Sequence, residues 1–230
     1  MIQYYFSRNH PSTILFDAEG VLFRKIRSDE ENVSQILGIS ISKYNDTLVH
    51  IRDEHVDFLN KNQLIPTIEH EELFLTQLHK LLCKYLNIVP EKSLIQSMND
   101  ARMRSDYEIF PDVESGLSRL QKKYYLTVLT NSFPSRRFHE LKPDGLGKYF
   151  KKIYIAYELG FKKPDVRIYD YIINDLHIQR DEIIFIDNKL SNIKGALKSG
   201  ILNVISFSPH QLSSNITSVV SFKELINILV

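Results

Sequence analysis

The chain has 230 residues, more than one ordinary domain and fewer than two full ones; it reads as one well-cored domain with a large insertion, or as two small domains. Its 29 basic and 28 acidic residues leave a formal charge of +1, so no net field points to nucleic acid, an anionic membrane or an acidic partner. Cys83 is the single cysteine, which excludes an intrachain disulfide and a thiolate metal cluster.

The first eleven residues, Met1 to Pro11, lack the basic cluster and long apolar run of a secretory leader. No apolar run approaches bilayer length, and the expectation is a soluble, cytoplasmic protein. The Asn-x-Ser/Thr triplets at Asn32, Asn45 and Asn215 then read as chance.

A short apolar run, Thr13 to Phe16, ends in Asp17. From about Phe23 to Tyr107 only helical periodicity is found. Tyr44, Leu48, Ile51, His55 and Phe58 form one stripe, and Leu73, Phe74, Leu78, Leu81, Leu82 and Tyr85 another. This block predicts a small helical bundle inserted after the first strand. Val113, Leu117 and Leu120 predict a helix. Leu126 to Leu129 predicts a second strand, ending in Thr130 and Asn131, and Lys152 to Ala156 a third. Tyr169, Ile172, Ile173 and Leu176 predict a helix behind Pro164, a residue suited to a first helical turn. Ile183 to Ile186 predicts a fourth strand, ending in Asp187. Ile193, Ala196 and Leu197 predict a helix stopped by Gly200, and Leu202 to Ile205 a fifth strand. Short continuous apolar runs alternating with helices argue for an α/β fold on a parallel sheet.

In an open parallel sheet, ligands bind beyond the carboxyl ends of the strands. Asp17, Thr130 and Asp187 stop three of the predicted strands. If those strands are neighbours, two carboxylates and a hydroxyl converge, a set able to bind Mg²⁺ and a phosphate together. An aspartate can also act as a nucleophile through an aspartyl-phosphate.

Four segments carry a resemblance: Asp17-Ala18-Glu19-Gly20, Leu129-Thr130-Asn131-Ser132, Lys162-Lys163-Pro164-Asp165, and Phe185-Ile186-Asp187-Asn188 with Asn192. In order and in strand context they resemble the motifs of the haloacid dehalogenase superfamily. The resemblance implies a Rossmann-like parallel-sheet core of residues 1–22 and 108–230, with a helical cap of residues 23–107. It implies Asp17 as nucleophile and metal ligand. The carbonyl of Glu19 would be a further ligand and its side chain the acid/base. Thr130 and the Asn131 amide would hold phosphate oxygens, Lys163 would neutralise charge, and Asp187 would complete a Mg²⁺ site. Such roles suit phosphoryl transfer, which needs in-line positioning and neutralisation of spread negative charge.

Two positions depart from the common pattern. Glu19 stands where most phosphatases of the family have Asp; one more methylene moves the carboxyl by roughly 1 Å, a displacement that can cost ~100-fold in rate. Enolase-phosphatases of the same superfamily resemble this chain in having Glu there. Asn188 stands where many members have a second acid, which removes one formal charge from the metal site and predicts weaker Mg²⁺ binding. Asn192 reads either as a supporting ligand-side residue or as a first-turn helix residue. The dehalogenases of the superfamily typically lack an acid at positions 19 and 187, and this chain has both.

The reading is a Mg²⁺-dependent phosphatase acting on a small phosphorylated metabolite, such as a sugar phosphate or a nucleotide, as a monomer or homodimer. The competing readings are a phosphomutase on the same scaffold and a binding or regulatory protein with a degenerate site. Arg102 and Arg104 read as solvated helix or linker charges in preference to a second anion site. His50 and His55 miss a zincin spacing by one residue and read as surface or half-buried helix histidines.

Overall fold

The computed structural model describes residues 11–104, 106–209 and 216–230. The leader reading at Met1–His10 and the triplet at Asn215 lie outside the described residues. Strand β1 (Thr13–Phe16) is followed by the short β2 (Phe23–Lys25). Five helices come next: α1 (Asp29–Leu37), α2 (Ile41–Glu54), α3 (Val56–Lys61), α4 (Ile68–Tyr85) and α5 (Lys92–Met103). The chain then forms β3 (Tyr107–Ile109), α6 (Val113–Leu120), β4 (Tyr125–Thr130), β5 (Lys152–Ile155), α7 (Ala156–Leu159), α8 (Val166–Leu176), β6 (Ile183–Asp187), α9 (Leu190–Lys198), β7 (Asn203–Phe207), β8 (Thr217–Val219) and α10 (Phe222–Leu229).

Six strands make one parallel sheet in the order β5-β4-β1-β6-β7-β8. The expected α/β architecture is therefore present, with β1 central. Side chains alternate along β1. Ile14 and Phe16 pack with Val113, Leu117, Phe222 and Leu225 on one face, and Leu15 packs with Ile168, Tyr169, Ile172 and Ile193 on the other. Both faces are covered by helices, so the strand reads as a continuous apolar run. A separate apolar cluster holds α1 to α5 together around Tyr44, Ile51, Leu75, Leu82 and Met98.

The structure differs from the sequence reading at several places. The ends of the helical insertion form an antiparallel ribbon, with Phe23 opposite Ile109 and Lys25 opposite Tyr107. Three residues per strand are too few to show a period of two, and Arg24, paired across the ribbon with Glu108 at 2.7 Å, hides it further. Strand β8, also three residues long, is likewise too short to show a period. The stripe from Tyr44 to Phe58 is broken at His55, which caps α2 and precedes α3 with φ −120° and ψ 41°. Pro164 lies outside α8. Asp165 is the N-cap, its carboxylate accepting from the Arg167 N–H at 3.0 Å, and an acceptor that satisfies an orphan amide wins the first position. Ala156 opens α7 instead of closing β5.

Register brings the strand ends level. Phe16 pairs with Val128 on one side and Ile186 on the other, so Asp17, Thr130 and Asp187 leave the sheet at the same edge.

Candidate active site

The carboxyl edge of β1, β4 and β6 carries a buried trio. Lys163, on the connection between α7 and α8, donates from Nζ to Asp17 Oδ1 at 2.6 Å, to Asp187 Oδ2 at 2.8 Å and to the Leu129 carbonyl at 2.8 Å. All three ammonium protons are thereby used. Asp17, Lys163 and Asp187 are buried, and the next lysine, Lys162, is exposed.

Charges this deep affect each other's protonation. Burial pushes the Asp17 carboxyl up to about 6; Lys163 opposes the rise and Asp187 adds to it. Burial works against the Lys163 cation, yet its two carboxylate partners outweigh that and raise its pKa. One ammonium between two carboxylates leaves a net negative charge at the strand ends.

Asp187 is held on all sides. Its Oδ1 accepts from the Lys189 N–H at 2.8 Å, and the Asn192 amide nitrogen donates to both oxygens, at 3.1 and 2.9 Å. Asn192, buried in the first turn of α9, therefore supports the acid directly. Asn131 uses its side chain on Lys163: Nδ2 donates to the Lys163 carbonyl and Oδ1 accepts from the Lys163 N–H, both at 2.8 Å. Sequence reasoning placed only the backbone amide of Asn131 at the site.

Glu19 is not part of the trio. Its side chain is 56% exposed, and its carboxylate lies 3.9 Å from Lys25 Nζ. Thr130 is buried and borders a recess of about 10 Å³ with Ala18, Glu19, Phe23, Ser132 and Arg136, room for about one water.

Among the described residues, no group of three or more His, Cys, Asp and Glu side chains is placed to hold a metal ion. The donors for a divalent cation are accordingly two carboxylates and neutral oxygens. Asn188 Oδ1 supplies an observation in favour: it is buried and has no hydrogen-bond partner, a state that costs about 1–3 kcal/mol unless something binds the oxygen. Two carboxylates plus neutral oxygens suit Mg²⁺, a hard cation that takes oxygen ligands and few protein carboxylates. The donor set fits.

The helical insertion meets the sheet edge through buried polar contacts that the sequence did not signal. Glu71 of α4 accepts from the Ser135 N–H at 2.8 Å and from the Ser135 hydroxyl at 2.7 Å. Arg136 pairs with Asp29 at 3.2 Å and with Glu140, and donates to the Arg102 carbonyl at 3.1 Å. Burial would raise the Asp29 pKa, but Arg136, Lys25 and Arg102 together hold it down at about 2. Arg102 is thus no solvated charge: its side chain is 15% exposed, 3.9 Å from Asp29, and donates to the Tyr44 hydroxyl at 3.3 Å. Arg104 is exposed, as read. Asp29 lies 107 residues from Arg136 and Glu71 lies 64 from Ser135, which is why no local pattern announced these pairings. Beside Pro164 a cleft of about 570 Å³ opens between the insertion and the core, lined by Asn60, Gln63, Tyr157, Phe161, Lys162 and Arg167 among others.

A family model described as haloacid dehalogenase-like hydrolase matches residues 11–200. A D-ribitol-5-phosphate phosphatase of Bacteroides thetaiotaomicron is 34% identical over 32% of this chain and 39% of its own. A phosphoserine phosphatase of Thermus thermophilus is 28% identical over 44% of this chain and 41% of its own. A pyrimidine 5'-nucleotidase of Escherichia coli, YjjG, is 27% identical over 50% of this chain and 52% of its own. The chain thus spans about two fifths to one half of these relatives' lengths. A 2-haloacid dehalogenase from Pseudomonas syringae shares the fold, with a TM-score of 0.70, 18% identity and coverage of 95% of this chain and 98% of that one.

Proposed function

The chain belongs to the haloacid dehalogenase-like hydrolases, and from that premise we propose that it is a Mg²⁺-dependent phosphatase of a small phosphorylated metabolite, a sugar phosphate or a nucleotide. The observation that carries this reading is the buried Asp17–Lys163–Asp187 trio at the strand ends. The names of the three relatives given above, which are phosphate-ester hydrolases, support it. The division into a core of residues 1–22 and 108–230 and a cap of residues 23–107 belongs to the same proposal, as does action in the cytoplasm as a monomer or homodimer.

An Asp17 oxygen attacks phosphorus, and the bond from phosphorus to the leaving oxygen breaks as the aspartyl-phosphate forms. Glu19, outside the buried trio, gives its proton to the leaving oxygen. It then takes one from the water that attacks phosphorus, and Asp17 is released with inorganic phosphate. Thr130 and the Asn131 N–H hold the phosphoryl oxygens, and Lys163 offsets their charge. Asp17, Asp187, the Glu19 carbonyl and the Asn188 amide oxygen would hold Mg²⁺, which supplies further neutralisation of the phosphoryl group when bound.

The test is phosphate release from a panel of sugar phosphates, nucleotides and phosphoserine, with Asp17→Asn beside the wild type. Turnover that falls by at least about 1000-fold in the variant supports the covalent route. Equal turnover by Asp17→Asn overturns it, and an isomerised sugar phosphate without free phosphate marks a phosphomutase.

A further inference from the structure

The connection from α7 to α8 has no strand ladder or helix to hold Lys163, yet that residue's ammonium must meet three acceptors at once. What holds its main chain is the side chain of Asn131, just beyond β4. Nδ2 donates to the Lys163 carbonyl and the Lys163 N–H donates to Oδ1, both at 2.8 Å. The primary amide thus presents to Lys163 what a neighbouring strand would present: one donor and one acceptor, side by side.

From this geometry we infer that Asn131 is a positioning residue for the reaction, whose side-chain amide fixes the main chain of Lys163 so that its ammonium bridges Asp17 and Asp187. The lysine stem is long and flexible and loses much rotamer freedom when ordered. Anchoring its origin removes part of that freedom before the head group is placed. A shift at the Lys163 main chain is passed to the contacts with Asp17, Asp187 and Leu129, and displacements near 1 Å at a reacting site can cost ~100-fold.

No other side chain of this length serves. Aspartate offers two acceptors and turns one against the Lys163 carbonyl, alanine offers neither group, and glutamine places the amide one methylene too far. The pairing uses the side chain alone, so it is separate from any phosphate contact of the Asn131 backbone. Its effect on turnover rests on the phosphatase reading; the anchoring of Lys163 does not.

The experiment follows Lys163 itself in the full-length chain. Nitrogen-15 spectra of lysine ammonium groups are recorded for wild type, Asn131→Ala and Asn131→Asp, with Lys163→Met to assign the resonance. Backbone amide exchange is measured at Lys163. The expected result is a slowly exchanging Lys163 ammonium in the wild type that broadens away in both Asn131 variants. Lys163 amide protection should be lost in Asn131→Ala and retained in Asn131→Asp, which keeps the acceptor. With the preferred phosphate ester, kcat should fall by about 100-fold while KM changes by less than about 3-fold. An unchanged ammonium resonance in Asn131→Ala overturns the inference. So does an unchanged one in Asn131→Asp, the isosteric variant that carries the test if the alanine variant does not fold. A wild type that releases no phosphate sinks the phosphatase reading instead, and the two resonances still decide the anchoring.

Discussion

Gly20 and Asn188 occupy adjoining space so closely that a Cβ on Gly20 would fall 2.0 Å from Asn188 Nδ2. The two residues come from different strand ends, and Gly20 also adopts φ +88°, a region that side-chain-bearing residues enter at a cost. The turn after the Asp17 strand and the loop after the Asp187 strand therefore fit together only with glycine at position 20.

Gly20→Ala should lose stability from both causes, by about 2–4 kcal/mol in total. It should also lower phosphatase activity, because the side chain that must shift belongs to Asn188, the residue after Asp187. Urea unfolding and a turnover assay check this; unchanged midpoints would show that the loop yields without penalty.

Asn188→Asp addresses the orphaned amide oxygen. A carboxylate there adds the negative charge that a divalent cation favours, and the concentration of Mg²⁺ giving half-maximal activity should fall by about 10-fold. A Mg²⁺ titration after chelator treatment reads this directly, and the chelated wild type should be inactive until Mg²⁺ is restored.

Lys163→Met leaves two buried carboxylates facing each other with no cation between them. The variant should be about 3–5 kcal/mol less stable at pH 8 and slower by about 100- to 1000-fold in kcat. Mg²⁺ should raise its melting temperature more than that of the wild type, since the divalent ion can take over part of the lost neutralisation. Melting curves with and without Mg²⁺ decide the point.

His79 gives a pH dependence far from the sheet edge. It is buried among the insertion helices; its Nδ1 pairs with Asn99 Oδ1 at 2.7 Å, and Nε2 has no partner. Burial depresses its pKa from 6.5 to about 4; the Asn99 bond opposes the drop and Arg102 adds to it. The unfolded chain therefore binds the proton first on acidification. The stabilising contribution of the neutral ring is complete above pH 6.5 and is lost as pH falls towards about 4. Between those limits His79→Leu should gain on the wild type by a few kcal/mol, measured by urea unfolding at stepped pH. Parallel curves would place the titration elsewhere.

The order of apolar runs and helical stripes was enough to specify the α/β sheet, because strands buried on both faces must be continuously apolar and helices between them must be amphipathic. The residues at the strand ends were legible for the same reason: Asp17, Thr130 and Asp187 stand where the apolar runs stop. Lys163 was distinguishable from Lys162 only by its motif, and burial then separated the two. The sequence could not reveal that the Asn131 side chain braces Lys163, that Asn188 closes against Gly20, or that Arg136 joins Asp29 and Glu140 beneath the insertion. Periodicity reports which face of one element is dry. Which polar atoms meet across 32 or 107 residues depends on register and on distances of a few tenths of an ångström, and only the folded chain sets those.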